Sequence, residues 1–422
     1  MHTIIARMQM QRQKLSEAVD SAEKALTLAK QLDKPELIAR NYLCLAAALY
    51  QQGHYAQAIA QIQLARPLCS TLPLLNALCD QYLASIHYHK ANYTCAQQLY
   101  TAALSFYKNG PENYPKQRSV VINNLGNVAL RLGHFEESRH YYEQSVHLRK
   151  LTNGRASIAL VALANLGLVA LSQQRFDAAQ NYLHSALQAA RRSGQAINEA
   201  RTLGYLSEYK RLLGAFDVAK QYAQQDLAIL EQIDRLGMRS VRLTQLARIC
   251  LELGELTQAI EYSEQALHYA ERQNEKHAYA VSLTLVGDVQ VAVGSFDAAV
   301  AAYQHALTLR QELGQQALAS EPLAGLAAIA LKQGQPTSAL QFIAPILQHL
   351  KQHSLDGTAD RYHIYLICHD VLVDSEPAMA RQLLERAIKV LRQAAASIAD
   401  PHERARFLKR NGQCKPNDPS CI

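Results

Sequence analysis

The sequence predicts an all-α solenoid of antiparallel helix pairs. Three observations carry that expectation: a phrase that returns about every 40 residues, a composition poor in helix breakers, and a scarcity of β-branched runs. Only 18 Gly and 12 Pro occur in 422 residues, while Ala, Leu and Gln are abundant. Trp is absent and Tyr (21) outnumbers Phe (7), which favours many thin layers of Ala, Leu and Tyr over one deep aromatic core.

The repeated phrase is clearest from Asn123, where it reads NNLGNVALRLGHFEESRHYYEQSV. Its echoes align on Leu125, Leu166, Leu206, Leu246, Val286 and Leu326, one step of 41 residues followed by steps of 40. Leu45, Leu83 and Ile367 extend the series at both ends. Each unit reads as helix, tight turn, helix. A small residue follows the anchor (Ala46, Gly126, Gly167, Ser207, Gly287, Ala327), so that a partner helix can approach closely. A glycine then closes the first helix (Gly53, Gly133, Gly214, Gly254, Gly294, Gly334), where positive φ is wanted. Two residues on stands an apolar anchor (Tyr55, Tyr93, Phe135, Phe176, Phe216, Leu256, Phe296). Asp177, Asp217 and Asp297 follow, a carboxylate in the first turn of the second helix, where the macrodipole favours it. Ala179, Ala219, Ala259, Ala299 and Ala339 mark the next close contact.

These residues at these offsets resemble the tetratricopeptide repeat. The family's usual unit is near 34 residues, and the unit of about 40 is similar to the long-helix variant of kinesin light chains and bacterial regulatory ATPases. The resemblance implies a right-handed superhelix over residues 1–392, about ten helix pairs, clearest over 120–350. It leaves a terminal helix at 393–410 and a tail at 411–422 whose turn-rich composition predicts disorder. The family's Trp is missing throughout, and Pro336 and Pro377 replace the aromatic anchor, a position at a helix start that tolerates proline. Residues 1–32 make one more pair, so the array is expected to begin without a polar capping helix and to offer that end for self-association. Residues 109–115 and 355–358 read as extended loops between repeats.

Chemistry is sought and not found: there is no P-loop, no GxGxxG after a strand, no HExxH and no GxSxG. His87 and His89, two apart on a helix, point to different sides and do not make a metal site. Glu136 and Glu137 read as helix-start carboxylates, and Tyr141 with Tyr142 as packing residues. The eight cysteines lack CxxC or zinc-like spacing, and six fall inside helical patterns as small buried thiols. With no secretory h-region and no apolar run of about 18–20 residues, the reading is a reduced, cytoplasmic, non-enzymatic protein without cofactor, metal or membrane partner. A net charge of +7 over this length has no clustered basic stripe before the 404–410 segment, so nucleic acid is not the expected partner.

Binding of a protein or peptide is the expected function. In a superhelix the concave wall is made of first helices. Positions around each anchor place Asn123, Asn124, Asn127, Arg131, Asn165, Tyr205, Glu208, Arg211 and Arg248 on that wall, with Gln245, Glu252, Asp288 and Lys332 beyond them. Asn is a poor helix-interior residue, and its amide can pair with both the N–H and C=O of an extended peptide. In tetratricopeptide domains that clamp peptide carboxylates, the resemblance assigns Asn127 and Asn165 to the grip and Arg201 to a basic position. Asn123 and Tyr205 depart from that pattern, which favours generic backbone contact over a carboxylate clamp. Arg211 and Arg248 beside Glu208 and Glu252 read equally as solvated ion pairs. The end of the chain, IADPHERARFLKR, resembles the closing phrase of repeat arrays in bacterial signalling ATPases and regulators, through Asp400, Pro401, Arg404, Phe407 and Leu408. Two functions follow: a bacterial adaptor that holds a partner segment in its groove, or a ligand-sensing regulatory array.

Overall fold

The computed structural model describes residues 2–11, 15–110, 114–151, 156–232, 238–273 and 275–412; the expected tail lies outside them from 413 onward. The described residues form helices and turns only. The first helices are α1 (His2–Gln11), α3 (Pro35–Gln51), α5 (Pro73–His89), α7 (Pro115–Arg131) and α9 (Ala156–Ser172). They continue as α11 (Ala196–Leu212), α13 (Arg239–Leu253), α15 (Lys276–Ala292), α17 (Gln316–Lys332) and α19 (Arg361–Leu372). The second helices are α2 (Leu15–Gln31), α4 (Tyr55–Ala65), α6 (Tyr93–Asn109), α8 (Phe135–Leu151) and α10 (Phe176–Arg192). They continue as α12 (Phe216–Gln232), α14 (Leu256–Arg272), α16 (Phe296–Glu312), α18 (Pro336–Leu350) and α20 (Pro377–Ala396), and α21 (Pro401–Asn411) closes the chain. The architecture is the expected all-α solenoid of consecutive helix pairs. Pro336 and Pro377 each open a helix, as their lack of an N–H allows. No described helix is long and apolar enough to cross a membrane.

The turns follow from backbone chemistry. At the end of α13, Gly254 adopts φ +77°, its N–H bonds Leu251 C=O at 3.1 Å, and the next N–H reaches back to Cys250 C=O at 2.9 Å. That pair of bonds satisfies carbonyls a helix end leaves orphaned. Ala91 and Gln174 hold the same left-handed position in their repeats, at φ +61° and +54°, without being glycine.

The chain divides into two compact units, Met1–Ala129 with Gln144–Gly154, and Leu130–Glu143 with Arg155–Ile422. In the first unit the core is a sheet of small and aliphatic side chains along α3, where Asn41 through Leu49 are all buried. Cys69 and Cys79 lie in this core with sulfurs 4.0 Å apart, both free. In the second unit α9, α11, α13, α15, α17 and α19 pack side by side, and each second helix fills the angle between its own first helix and the next. First helices therefore form the inner wall. Close approach is set by missing side chains: the Tyr303 ring of α16 lies between Gly287 and Gly325, where a Cβ on either would collide with it.

The second unit also meets itself across a superhelical turn. Gln315 Nε2 donates to Arg131 C=O (3.2 Å), Gly357 N–H to Ser172 C=O (3.1 Å) and Ser397 Oγ to Gln174 C=O (3.1 Å). Tyr362 O–H donates to the Gln174 side chain, and Arg361 to Ser172 C=O. The partners stand about four to six repeats apart, so the turn edges of one superhelical coil rest on the loop edges of the next.

Ala91→Gly is expected to raise stability by about 0.5–1 kcal/mol, because an L-residue in the left-handed region is strained and glycine is not. Urea unfolding checks it; an unchanged or lower midpoint would show that the turn is relaxed as it stands.

Candidate functional site

In the first unit, Asn124 Nδ2 donates to Tyr100 Oη at 3.2 Å. Tyr100 Oη lies 2.8 Å from Ser85 Oγ, which itself donates to Gln81 C=O at 3.0 Å. With the serine proton committed, Tyr100 donates to Ser85, and one relay runs from Asn124 to the α5 backbone. Asn123 is buried with an Oδ1 that lacks a hydrogen-bond partner, and Asn127 is half-buried. His87 faces Asn92 at 3.4 Å while His89 stacks on Tyr55, so the two histidines serve different neighbours. On α8, within the second unit, Tyr142 is fully buried and Tyr141 half-buried.

The second unit holds the remaining wall residues. Arg131 is half-buried, and Asn165 is buried. Tyr205, Glu208 and Arg248 are partly exposed on successive first helices, as are Gln245 and Asp288. Glu208 takes two bonds from Arg211, at 2.9 and 2.7 Å. Arg211 is only 1% exposed and reaches Glu252 (3.4 Å) and Ala359 C=O (3.1 Å) as well. It is a buried strut, which corrects the reading of a solvated pair on the wall. The Ala359 N–H donates in turn to Glu321 of α17 at 2.7 Å, so both main-chain groups of one loop residue are held by first-helix side chains. Arg248 faces Asp288 at 3.9 Å, and Tyr303 donates to the other Asp288 oxygen at 2.8 Å. Burial pushes Glu208 up, but Arg211, Arg248 and Arg410 more than offset it and hold its carboxyl below the usual range. Burial prevails at Asp288, whose carboxyl is raised despite Arg248.

Behind the wall, Asp226 occupies the layer filled by Ala186, Ala266 and Ala306 in other repeats and is fully buried. It pairs with buried Arg242, whose guanidinium lies 5.9 Å from the Tyr205 ring centroid. Burial pushes the Asp226 carboxyl up to about 6 against the pull of Arg242 and Arg201. Gly204 makes the room, since a Cβ there would collide with both partners. The sequence held the signal: an acid, a base and a glycine break three small-residue layers at once. A second polar knot joins half-buried His277 to Gln315 and buried Arg310. Arg310 donates to Gln315 Oε1 at 2.6 Å, and the His277 Nδ1 lies 3.2 Å from Arg310 and 3.0 Å from the Gln315 amide nitrogen. The same Nδ1 lies 3.1 Å from the Gln315 oxygen. Burial, with Arg131 and Arg310 nearby, holds that imidazole well below its ordinary pKa.

Fold and wall together define a helical-repeat protein with a polar inner surface. Residues 157–232 and 240–312 match one profile of the tetratricopeptide repeat, and 120–159 match a second. The chain carries tetratricopeptide repeats over residues 120–232 and 240–312. Its fold is similar to that of a Rap protein solved with competence and sporulation factor: TM-score 0.64, 14% identity, 83% of this chain and 97% of that one. It is also similar to the Rap conjugation gene regulator of plasmid pLS20, solved with the Phr* peptide: TM-score 0.60, 14% identity, 80% and 95%. Aspartyl phosphate phosphatase F from Bacillus subtilis aligns with TM-score 0.52, 13% identity, 85% and 94%. Among curated proteins, none matches in sequence.

Two outcomes are expected. Asp226→Ala alone strands a buried guanidinium and should cost about 3–5 kcal/mol, whereas Asp226→Ala with Arg242→Thr should recover most of it; equal losses in urea unfolding would refute the pairing. His277 stays neutral when folded but protonates below about pH 6.5 when unfolded. Its contribution is complete above that pH and is lost as pH falls below it. Acidification from pH 7.5 to 5.5 should therefore lower the thermal midpoint more in the wild type than in His277→Gln. The Asp226 effect has the opposite sign and is common to both proteins.

Proposed function

We propose that this chain is a non-catalytic interaction scaffold of the bacterial cytoplasm, holding an extended or helical segment of a partner protein against its inner wall. The observation that carries this is the band of partly exposed Tyr205, Glu208, Gln245, Arg248 and Asp288 on three consecutive first helices of the second unit. An alternation of acid, base and amide around a tyrosine suits a peptide backbone with mixed charge better than an apolar ligand. The fold likeness to the Rap conjugation gene regulator solved with the Phr* peptide supports the same reading. Asn127 and Asn165 are proposed to extend the contact surface within their respective units.

The test is a pull-down from a bacterial lysate with wild type and with Tyr205→Ala/Arg248→Ala, both partly exposed positions. Retained helicity with at least a tenfold loss of the captured partner is expected, about 1.4 kcal/mol or more. An unchanged set of captured proteins from a folded variant would remove the inner wall from consideration. The closing phrase at Asp400–Leu408 favours one second reading, a sensory array acting on a regulator. That reading requires a thermal shift with a small metabolite in place of a captured protein.

A further inference from the structure

Helix α21 touches the array in a way its neighbours do not. The adjacent α20 buries a row of apolar side chains from Ala380 to Ala395, whereas α21 buries Phe407 alone among its residues. Phe407 enters an aromatic socket shared by the last repeat and a distant one. Its ring lies edge-on to Phe176 of α10 at 5.2 Å between centroids and to Tyr362 of α19 at 6.1 Å, with Tyr209 of α11 against Phe176 at 6.2 Å. Charged contacts flank it one turn to each side. Glu403 binds Lys210 at 2.5 Å and accepts from Tyr209 at 3.4 Å, and Arg410 binds Glu252 of α13 at 2.5 Å. Leu408, the other apolar residue of the phrase, faces outward.

The connector before α21 is fixed separately. Phe176 N–H donates to Ser397 Oγ at 3.0 Å, Asp177 N–H to Ser397 C=O at 2.9 Å, and Ala399 N–H to Asp177 Oδ1 at 3.1 Å. Asp400 caps α21 by accepting from His402 N–H and Glu403 N–H at 2.7 and 3.2 Å, and Arg404 folds back on Ile398 C=O at 2.6 Å. The helix is thus complete in itself, capped at its start and hinged at a pinned connector. One buried ring, the partly buried pairs of Glu403 with Lys210 and of Arg410 with Glu252 and Asp360, and Arg410 over the Phe216 ring hold it to the array, with no further apolar row beneath it. A single buried apolar side chain makes a short terminal helix the first part of a domain to open locally.

We propose that α21 is a releasable latch, and that the socket of Phe176, Tyr209 and Tyr362, rimmed by Lys210 and Glu252, is a docking site for a helix carrying Glu, Phe and Arg at the spacing of 403, 407 and 410. Its resident occupant is the chain's own α21; a helix of the same chemistry supplied in trans takes its place when α21 is out. Helical spacing of four and three residues puts the three groups on one face, where they meet the three parts of the socket together. The proposal concerns the seam of the second unit and stands whether or not the inner wall binds a peptide.

The test uses the full chain and trypsin, for which Arg404, Arg406, Lys409 and Arg410 are sites inside the latch. Mass spectrometry should find cuts at Arg404 and Arg406 before any in the repeats. Phe407→Ala should speed those cuts roughly tenfold to a hundredfold with helicity retained elsewhere. Glu403→Gln/Arg410→Gln, which leaves the buried ring in place, should speed them as well, and 0.5 M salt should do the same to the wild type. A fluorescent peptide spanning residues 399–411 should bind the Phe407→Ala chain and not the wild type. The same peptide with its own phenylalanine replaced by alanine should bind neither. Cutting within α21 that keeps pace with cutting throughout the array in all three proteins would overturn the latch. Absence of peptide binding to the opened variants, or equal binding to the wild type, would overturn the socket.

Discussion

The close approach of a first helix to its own second helix is the constraint on which everything else in this chain rests. It is possible only where side chains are minimal. Ala58, Ala96, Ala179, Ala219, Ala259, Ala299 and Ala339 are each fully buried at the same place in seven units. An added methyl group in such a layer forces the helices apart or the neighbours off-rotamer, and the error is carried into every later unit. The narrow contact also fixes which helices form the inner wall, because the thinner layer takes the shorter circumference. Wall residues can vary freely once the small layers are kept. This is why Glu208, Arg248 and Asp288 differ in charge while the residues behind them hardly change.

The exceptions to that constraint are informative in the same terms. Asp226, Arg242 and Gly204 form a buried ionic insert where other repeats carry uncharged residues, and the glycine leaves the room that the two larger side chains fill. A buried ion pair is weak support for stability, since desolvation opposes it. Its effect is better described as registration: only the unit bearing the glycine can stand between the acid and the base. Arg211 plays a comparable part, joining Glu208, Glu252 and the Ala359 carbonyl around one guanidinium.

The repeat was legible in the sequence because each of its determinants is local. Anchor spacing, turn glycines and helix-opening prolines report on contacts within one unit or between adjacent ones, and Pro336, Pro377 and Gly254 behave as their chemistry dictates. Ala91 and Gln174 show the limit of that logic, since neither is a residue that announces a left-handed turn. The candidate wall was legible only in part. Periodicity identified which face Tyr205, Glu208 and Arg248 occupy, but it could not show that Arg211 lies beneath a loop from a later coil. Contacts such as Arg131 with Gln315, or Ser172 with Gly357, depend on the sum of small rotations over many units. No single unit encodes that sum. The Asp400–Leu408 phrase was visible as a motif, and its physical content is a cap, a backbone tie and one buried ring.

The seam within the second unit bears on how such an array can change over time. Solenoids ordinarily gain or lose a unit with little consequence, because each repeat answers only to its neighbours. Here the bonds from Ser172 to Gly357 and from Glu252 to Arg410 require a set number of units between them. Duplicating or deleting one repeat between Ser172 and Gly357 would leave every local interface intact and put the two coil edges out of phase. The copy number in this stretch is therefore under structural selection of a kind closer to that of a closed ring than to that of an open repeat protein.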